Sequence, residues 1–420
     1  MGNLLEKYID KHSVYKQLVN QLPHPQLKLI IIIPAYNEPQ IFDTLNSLKK
    51  CEPAKYPTEV LIVINHSCKA PKPIIQQNDQ TYNDILEWIK NESTEQLKFH
   101  CILKGDLPQK HAGAGLARKI AMDEAIRRLN SVNNENGIIA SLDADTLVSR
   151  NYICDIQNAF SKKKKLSCAI FYFEHFTTPE TSDKNHKAIV LYELYLRYFK
   201  QALKYTGFPY AFHTIGSCFA VTASAYAKQG GMNRKQGGED FYFLHKIFPL
   251  GNVAELNHIK VFPSSRPSNR VPFGTGPAIQ KIMNDNSFVT YQPIYFSYLK
   301  NLFDSVKCLY MVDYDILKSI FDGLHPTLQQ FIGIEDFTKK LNEINGNCAS
   351  KNTFSQRFYQ WFDAFKIIKY LNFVHLSNKR IPVQEAVQQF FKMKNITVDT
   401  AKTPAGLLDM LRKEEMTDLL

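Results

Sequence analysis

Four short runs of apolar, largely β-branched residues set the strongest limit on how this chain can fold. Residues 27–33 (LKLIIII), 59–64 (EVLIVI), 99–103 and 137–142 (GIIASL) are the runs. Between them, apolar residues recur at helical spacing, as at Ile41, Leu45 and Leu48, at 85–89 and over about 116–129. Ile30, Ile31, Ile32 and Ile33 are apolar on both faces, as a central parallel strand requires. Repeated alternation of strand and helix predicts an α/β fold, a mostly parallel sheet with helices on both faces. Ligands of such sheets bind beyond the carboxyl ends of the strands, so function is sought in the loops that follow the four runs.

The flanks read differently. Pro23 and Pro25 close an amphipathic opening segment, and residues 1–28 are expected to form a helical N-terminal extension to an α/β domain over 29–276. Past residue 160 the pattern loosens into a strand at 168–176 and a Tyr-rich helix at 186–205. After Pro277 strand signals stop and helix-period segments such as 362–371 (FDAFKIIKYL) take over, which predicts an α-helical C-terminal domain over 277–420. With 44% hydrophobic and 22% charged residues in 420, the chain has the composition of a core-forming globular protein and not of a disordered, collagen or coiled-coil one.

The 51 Lys and Arg against 40 Asp and Glu leave a net charge of +11, which suits nucleic acid, an acidic membrane surface or an anionic substrate. No zinc-finger, RNP, KH or basic-zipper pattern accompanies it, so nucleic acid is not an expected partner. Eight cysteines stand singly, with no CxxC, and read as reduced thiols that mostly fill the core. Without a leader-like or membrane-spanning run, the expected location is cytoplasmic, with a peripheral position at the inner face of the membrane as the alternative. The aromatic stretch 287–321 reads as a packed helical pair rather than a membrane-surface anchor.

Four constellations can carry chemistry. In residues 141–147 (SLDADTL), directly after an apolar run, Asp143 and Asp145 would point the same way in extended chain and offer two hard oxygen ligands to Mg²⁺ or Mn²⁺. The plainer role for such a pair is to cap the following turn. Glu239 and Asp240 follow Gly237 and Gly238; acidic residues there either cap a helix or form a re-aimed catalytic pair. Residues 31–39 (IIIPAYNEP) break a strand into an aromatic and polar loop. Residues 110–119 (KHAGAGLARK) put Gly113 and Gly115 ahead of Arg118 and Lys119, a helix entrance that could hold an anion, although the third glycine of a dinucleotide fingerprint is missing.

Together, PAYNE after the first strand, DAD after the fourth, GxGLAR before a helix and GGED further on resemble the family 2 glycosyltransferases, which have the GT-A fold. The resemblance implies inverting transfer of a sugar from a nucleotide-diphosphate donor to a carbohydrate or lipid-linked acceptor. It implies Mn²⁺ or Mg²⁺ at Asp143 and Asp145, with Asp145 the more direct ligand and Asp143 nearer the ribose. Asp240 corresponds to the base that activates the acceptor, and Glu239 is its neighbour. Pro34, Ala35, Tyr36 and Glu38 would line the nucleoside pocket, and Arg118 would lie beneath the diphosphate. His258 is the candidate third metal ligand. Arg266 and Arg270 are candidates to close over the diphosphate, with a solvated basic loop as the alternative. One departure stands out: where the family often has a carboxylate after the second strand, this chain has Asn65 and His66, which leaves the nucleobase open. A nucleotidyltransferase on a similar sheet and a non-catalytic glycan-binding or membrane-binding module are the competing classes.

Overall fold

The computed structural model describes residues 3–178, 181–268, 274–399 and 401–417. The chain packs as two compact units, one of residues 1–189 and 214–281, the other of 190–213 and 282–420. This division departs from the boundary expected at 276 in two respects: residues 190–213 group with the helical unit, and the later crossing falls after Lys281.

The first unit is built on one sheet. Its strands are β1 (Leu29–Ala35), β2 (Thr58–Ser67), β3 (Leu97–Leu107), β4 (Ile138–Ser141), β5 (Thr146–Val148), β6 (Cys168–Phe173), β7 (Phe219–Thr222) and β8 (Val253–Pro263), in the order β3-β2-β1-β4-β7-β6-β8-β5. β3, β2, β1 and β4 run parallel, with Ile31 opposite both Val60 and Ala140. Every residue of β4 and all but Pro34 of β1 are buried, which is why these strands are apolar on both faces. The strand of 168–176 is shorter than expected, and β7 enters antiparallel between β4 and β6.

The helices of this unit are α1 (Leu4–His12), α2 (Ile41–Lys49), α3 (Lys72–Glu92), α4 (Ala114–Ser131), α5 (Tyr152–Lys162), α6 (Asp183–Tyr205, which continues into the second unit), α7 (Ala223–Lys228), α8 (Glu239–Ile247) and α9 (Thr275–Asp285). The chain steps from β1 to β2 to β3 in one direction and then returns to β4 on the other side of β1. Right-handed crossovers therefore put α2 and α3 on one face and α4 on the other, and the reversal leaves a crevice at the ends of β1 and β4.

Helix α4 buries charge as well as apolar surface, because the N-terminal extension supplies partners for it. Asp123 accepts on Oδ1 from Tyr8 and Tyr226 (2.6 and 2.9 Å) and on Oδ2 from the Val14 N–H (3.2 Å), and Lys119 lies 3.1 Å from Oδ2. Glu124 accepts from the N–H groups of Leu18 and Val19 at 3.0 and 3.1 Å. Arg128 pairs with the buried Glu59 and donates to Gln21 O at 2.8 Å. Among the described residues of the extension only α1 is helical; residues 13–28 are an irregular strap, several of whose backbone groups pair with α4 side chains.

The second unit is helical, with α10 (Ile294–Ser305), α11 (Tyr314–Asp322), α12 (Pro326–Ile332), α13 (Ile334–Gly346), α14 (Lys351–Trp361), α15 (Ala364–Val374), α16 (Val383–Met393) and α17 (Pro404–Thr417). Its aromatic core includes the edge-to-face pairs of Tyr198 with Phe296 and Phe390. Glu415 of α17 is buried with Arg197, Lys200 and His213, whose Nε2 lies 2.9 Å away. Burial opposes the charge on Glu415, but these partners outweigh it and hold the carboxyl well below its usual range. Among the described residues no helix is long and apolar enough to cross a membrane. All eight cysteines are free; contrary to expectation only Cys168 and Cys218 are buried, and Cys68 and Cys308 are exposed.

Candidate active site

The DAD segment leaves β4 as a turn and not as the extended chain expected. Thr146 N donates to Asp143 O at 3.3 Å, and Thr44 of α2 pins the turn from behind, donating to Ala144 O (2.9 Å) and accepting from Thr146 N (3.1 Å). The two aspartates consequently meet different arginines: Asp143 pairs with Arg118, and Asp145 lies 3.7 Å from Arg266. Their side chains keep 36% and 27% exposure, so both carboxylates stay at an open rim.

Arg118 is the hub of the site. Its guanidinium donates to Ser141 Oγ (3.2 Å), to Asp143 and to the buried Glu239. The end of β4, the DAD turn and the start of α8 are thus tied to one side chain from the first turns of α4. Burial alone would disfavour its charge, but Asp143, Glu239 and Asp240 outweigh that and hold Arg118 cationic. The resemblance puts Arg118 beneath a diphosphate; in the structure each of its three nitrogens donates to a protein oxygen. Gly216 is the complement of this arrangement, since a Cβ there would lie 2.4 Å from Arg118 Nη2.

The glycines before α4 serve close packing. A Cβ on Gly113 would stand 3.0 Å from Gln236 Cα, and one on Gly115 would stand 2.1 Å from Lys235 O and 3.0 Å from Glu239 Cβ. Gln236 Nε2 also donates to Gln109 O at 3.0 Å, so the loop before α8 is seated on the entrance of α4. Gly115→Ala is expected to lose about 1–3 kcal/mol of stability by overpacking and roughly tenfold or more in turnover by displacing Glu239 and Asp240. Urea unfolding and donor turnover check this, and a fully active variant would show that the loop is not held there.

Gly238, at φ 68°, turns the chain into α8, so that Glu239 faces Arg118 while Asp240 accepts from the Phe241 N–H at 2.7 Å. Asp240 is half-buried. Burial, and then the neighbouring Glu239, push its carboxyl up to about 7, with Arg118 acting in the opposite direction. A carboxylate poised near neutrality is suited to accept a proton.

The remaining sequence-predicted residues divide. Ala35 is buried at the end of β1, with Pro34 and Tyr36 half-buried beside it. Glu38, 2% exposed, pairs with Arg266 and accepts from Gln40 N (3.1 Å). Burial opposes the charge on Arg266, while Glu38 and Asp145 raise its pKa. The 264–268 strap is thus joined to the β1 loop and the DAD turn. Arg270 lies outside the described residues. His258 projects from β8 beside α5, half-exposed and 3.7 Å from Asp155, and does not join Asp143 and Asp145. Among the described residues no three His, Cys, Asp or Glu side chains are grouped to hold a metal. Asn65 and His66 are both buried at the end of β2 and share Asn78 of α3. Thr44, Asn78, Ser141 and Gly216 shape the site without any signal in the sequence, because each is a common residue inside an ordinary helix, strand or loop.

A parallel sheet reversing at β1, with a carboxylate turn after β4 and a second acidic pair brought to it, is the architecture of a GT-A type transferase domain. Residues 30–230 match the family described as Glycosyl transferase family 2. The chain carries a domain of this family, followed by an additional helical region, and is a glycosyltransferase. No curated protein sequence matches it significantly. Among solved structures, S. aureus TarS 1–349 is similar at 13% identity and TM-score 0.39, over 80% of this chain and 92% of that one, with the same figures for its complex with UDP-GlcNAc. A longer S. aureus TarS structure is similar at 14% identity and TM-score 0.37, over 83% of this chain and 55% of that one.

Proposed function

We propose that the chain is an inverting, divalent-metal-dependent glycosyltransferase that moves a sugar from a nucleotide-diphosphate donor to a hydroxyl of a carbohydrate or lipid-linked acceptor. The observation that carries this is Arg118, which draws Asp143 and Glu239 onto one guanidinium and so sets the DAD turn and Asp240 side by side. Two partly exposed carboxylates fit Mg²⁺ or Mn²⁺, hard ions that keep several water or phosphate ligands and need no all-protein cage. Asp145 and Asp143 would hold it, and when bound it neutralises charge on the leaving diphosphate.

The chain's own residues do the rest. Asp240 takes the proton of the acceptor hydroxyl as that oxygen attacks the anomeric carbon. The bond to the diphosphate oxygen breaks on the opposite side, which inverts the anomeric centre and releases the nucleoside diphosphate. Arg118 keeps Glu239 from turning toward Asp240, and Arg266, joined to Glu38 and Asp145, is placed to exchange those carboxylates for the diphosphate.

Thermal unfolding with UDP, GDP or CDP should reveal the donor class. A nucleotide at 100 times its dissociation constant stabilises the native state by about 2.7 kcal/mol, and the shift should require Mn²⁺ or Mg²⁺. The absence of any ion-dependent shift would defeat the assignment, and NMR of the product anomer decides between inversion and retention.

A further inference from the structure

The helical unit contains an open cleft of about 590 Å³, a size within the roughly 300–1,000 Å³ usual for ligand sites. It lies outside residues 30–230, the part of the chain that the family accounts for. Helix α13 lines it with Lys339 and Lys340, and α15 with Lys366 and Lys369. Phe331 of α12 and Trp361 at the end of α14 add half-buried aromatic surface.

The charges in this cleft do not cancel. Lys340 donates to both oxygens of Glu343 at 2.8 Å, and Asp363 caps α15 by accepting from the Lys366 N–H at 2.9 Å. Among the described residues the ammonium groups of Lys339, Lys366 and Lys369 have no hydrogen-bond acceptor or ion pair, and the one lining carboxylate left to face them is Asp336. Lys366 is the most constrained of the three. It is half-buried, and its ammonium stands over the Trp361 ring, 4.0 Å from the centroid. Burial lowers its pKa, and Lys369 and Lys340 add to this, while Asp336 and Asp363 oppose it. A half-buried ammonium without an acceptor costs the fold stability. Groups kept at such a cost are characteristic of binding sites.

An anionic membrane surface would also suit three lysines, but it would need apolar side chains that project. Among the described residues the most exposed large apolar side chains, such as Met311 and Leu376, do not line this cleft, and its aromatic residues are recessed. Recessed aromatic surface beside free cationic donors suits a sugar ring that carries an anionic group. The chain is a glycosyltransferase, so saccharides are the ligands it works on. We propose that the cleft is a saccharide-binding site outside the transferase domain, selective for sugars that bear phosphate or carboxylate groups. Lys366, Lys339 and Lys369 take the anion, and Trp361 and Phe331 take the apolar side of the ring.

Fluorine NMR of the full chain labelled with 5-fluorotryptophan tests this, because Trp88 and Trp361 are its two tryptophans. Trp88 belongs to the first unit, against Phe99 and Phe42, and serves as the internal control. The probes are glucose 6-phosphate, glucuronate, glucose and inorganic phosphate, at physiological salt and without any nucleotide. At least one charged sugar should move the Trp361 signal saturably, about tenfold more tightly than glucose or inorganic phosphate, and leave Trp88 still. Comparison of the two charged sugars separates phosphate-bearing from carboxylate-bearing ligands. Lys366→Met keeps the stem over Trp361; it should weaken binding about tenfold or more and raise the melting temperature. Lys369→Ala serves if that variant fails to fold. A response to glucose or inorganic phosphate equal to that of the charged sugars, unchanged binding in the folded variants, no response, or a signal moved only by phosphatidylglycerol vesicles overturns the site. With no nucleotide present, none of these results depends on the donor site or on the mechanism proposed above.

Discussion

Replacing Arg118 by methionine is expected to lower the unfolding free energy by about 3–5 kcal/mol at pH 7 and to abolish measurable transfer. That is the range for removing one partner of a buried ion pair. Methionine fills much of the volume but leaves Glu239, 3% exposed, facing Asp143 and Asp240 with no cation between them. Asp143, at 36% exposure, can turn to water, so most of the cost falls on Glu239. Without Arg118 the remaining carboxyls hold protons more tightly in the folded state than in the unfolded one. The deficit should therefore be largest at pH 8 and shrink at pH 5. Urea unfolding at the two values checks this, and a deficit independent of pH would show that only packing was lost. Arg118→Lys should fall between, since an ammonium keeps the charge but cannot fork between two carboxylates and Ser141.

The same residue shows where reading a sequence succeeds and stops. The parallel half of the sheet was legible because β1, β2 and β4 are buried on both faces and so appear as unbroken apolar runs. β8 escaped notice because its buried and half-exposed residues mix polar with apolar side chains, and β7 because four residues carry no period. At the site, Asp143, Glu239, Asp240 and Arg118 were identifiable as residue types after a strand or at a helix entrance, and the structure brings them together. Their partners were not identifiable. A guanidinium meets a phosphate or a carboxylate with equal geometric ease, so only the fold shows that Arg118 is spent on Asp143 and Glu239. Gly113 and Gly115 likewise suggested an anion cradle, where the fold uses them to admit the backbone of Lys235 and Gln236. His66 stands in the sequence only as a departure from the family's usual carboxylate; the structure buries it at the end of β2, hydrogen-bonded to Asn78, a partner no local pattern announces.

Asp240→Asn should lower kcat by a factor of about 10²–10⁴, the usual contribution of a positioned base, while leaving the fold intact and, at high pH, more stable. The sign follows from the raised carboxyl. In the unfolded chain Asp240 ionises near 3.8, and in the folded protein only near 7. Between those values the folded state binds a proton that the unfolded state has released, so stability falls as pH rises through this window. The contribution is fully present below about pH 4 and lost above 7, a difference on the order of a few kcal/mol. Asparagine is neutral throughout and cannot lose it. The variant should match the parent at pH 4 and exceed it in melting temperature at pH 8, whereas parent turnover should rise toward a plateau above pH 7. An inactive variant with no stability gain at pH 8 would mean that Asp240 is not held in a site that disfavours its charge, and a variant with full activity would remove it as the base. Both observations together separate a poised proton acceptor from an acidic residue that merely begins α8, because a helix-capping carboxylate is stabilised by its charge and its loss lowers stability at pH 8.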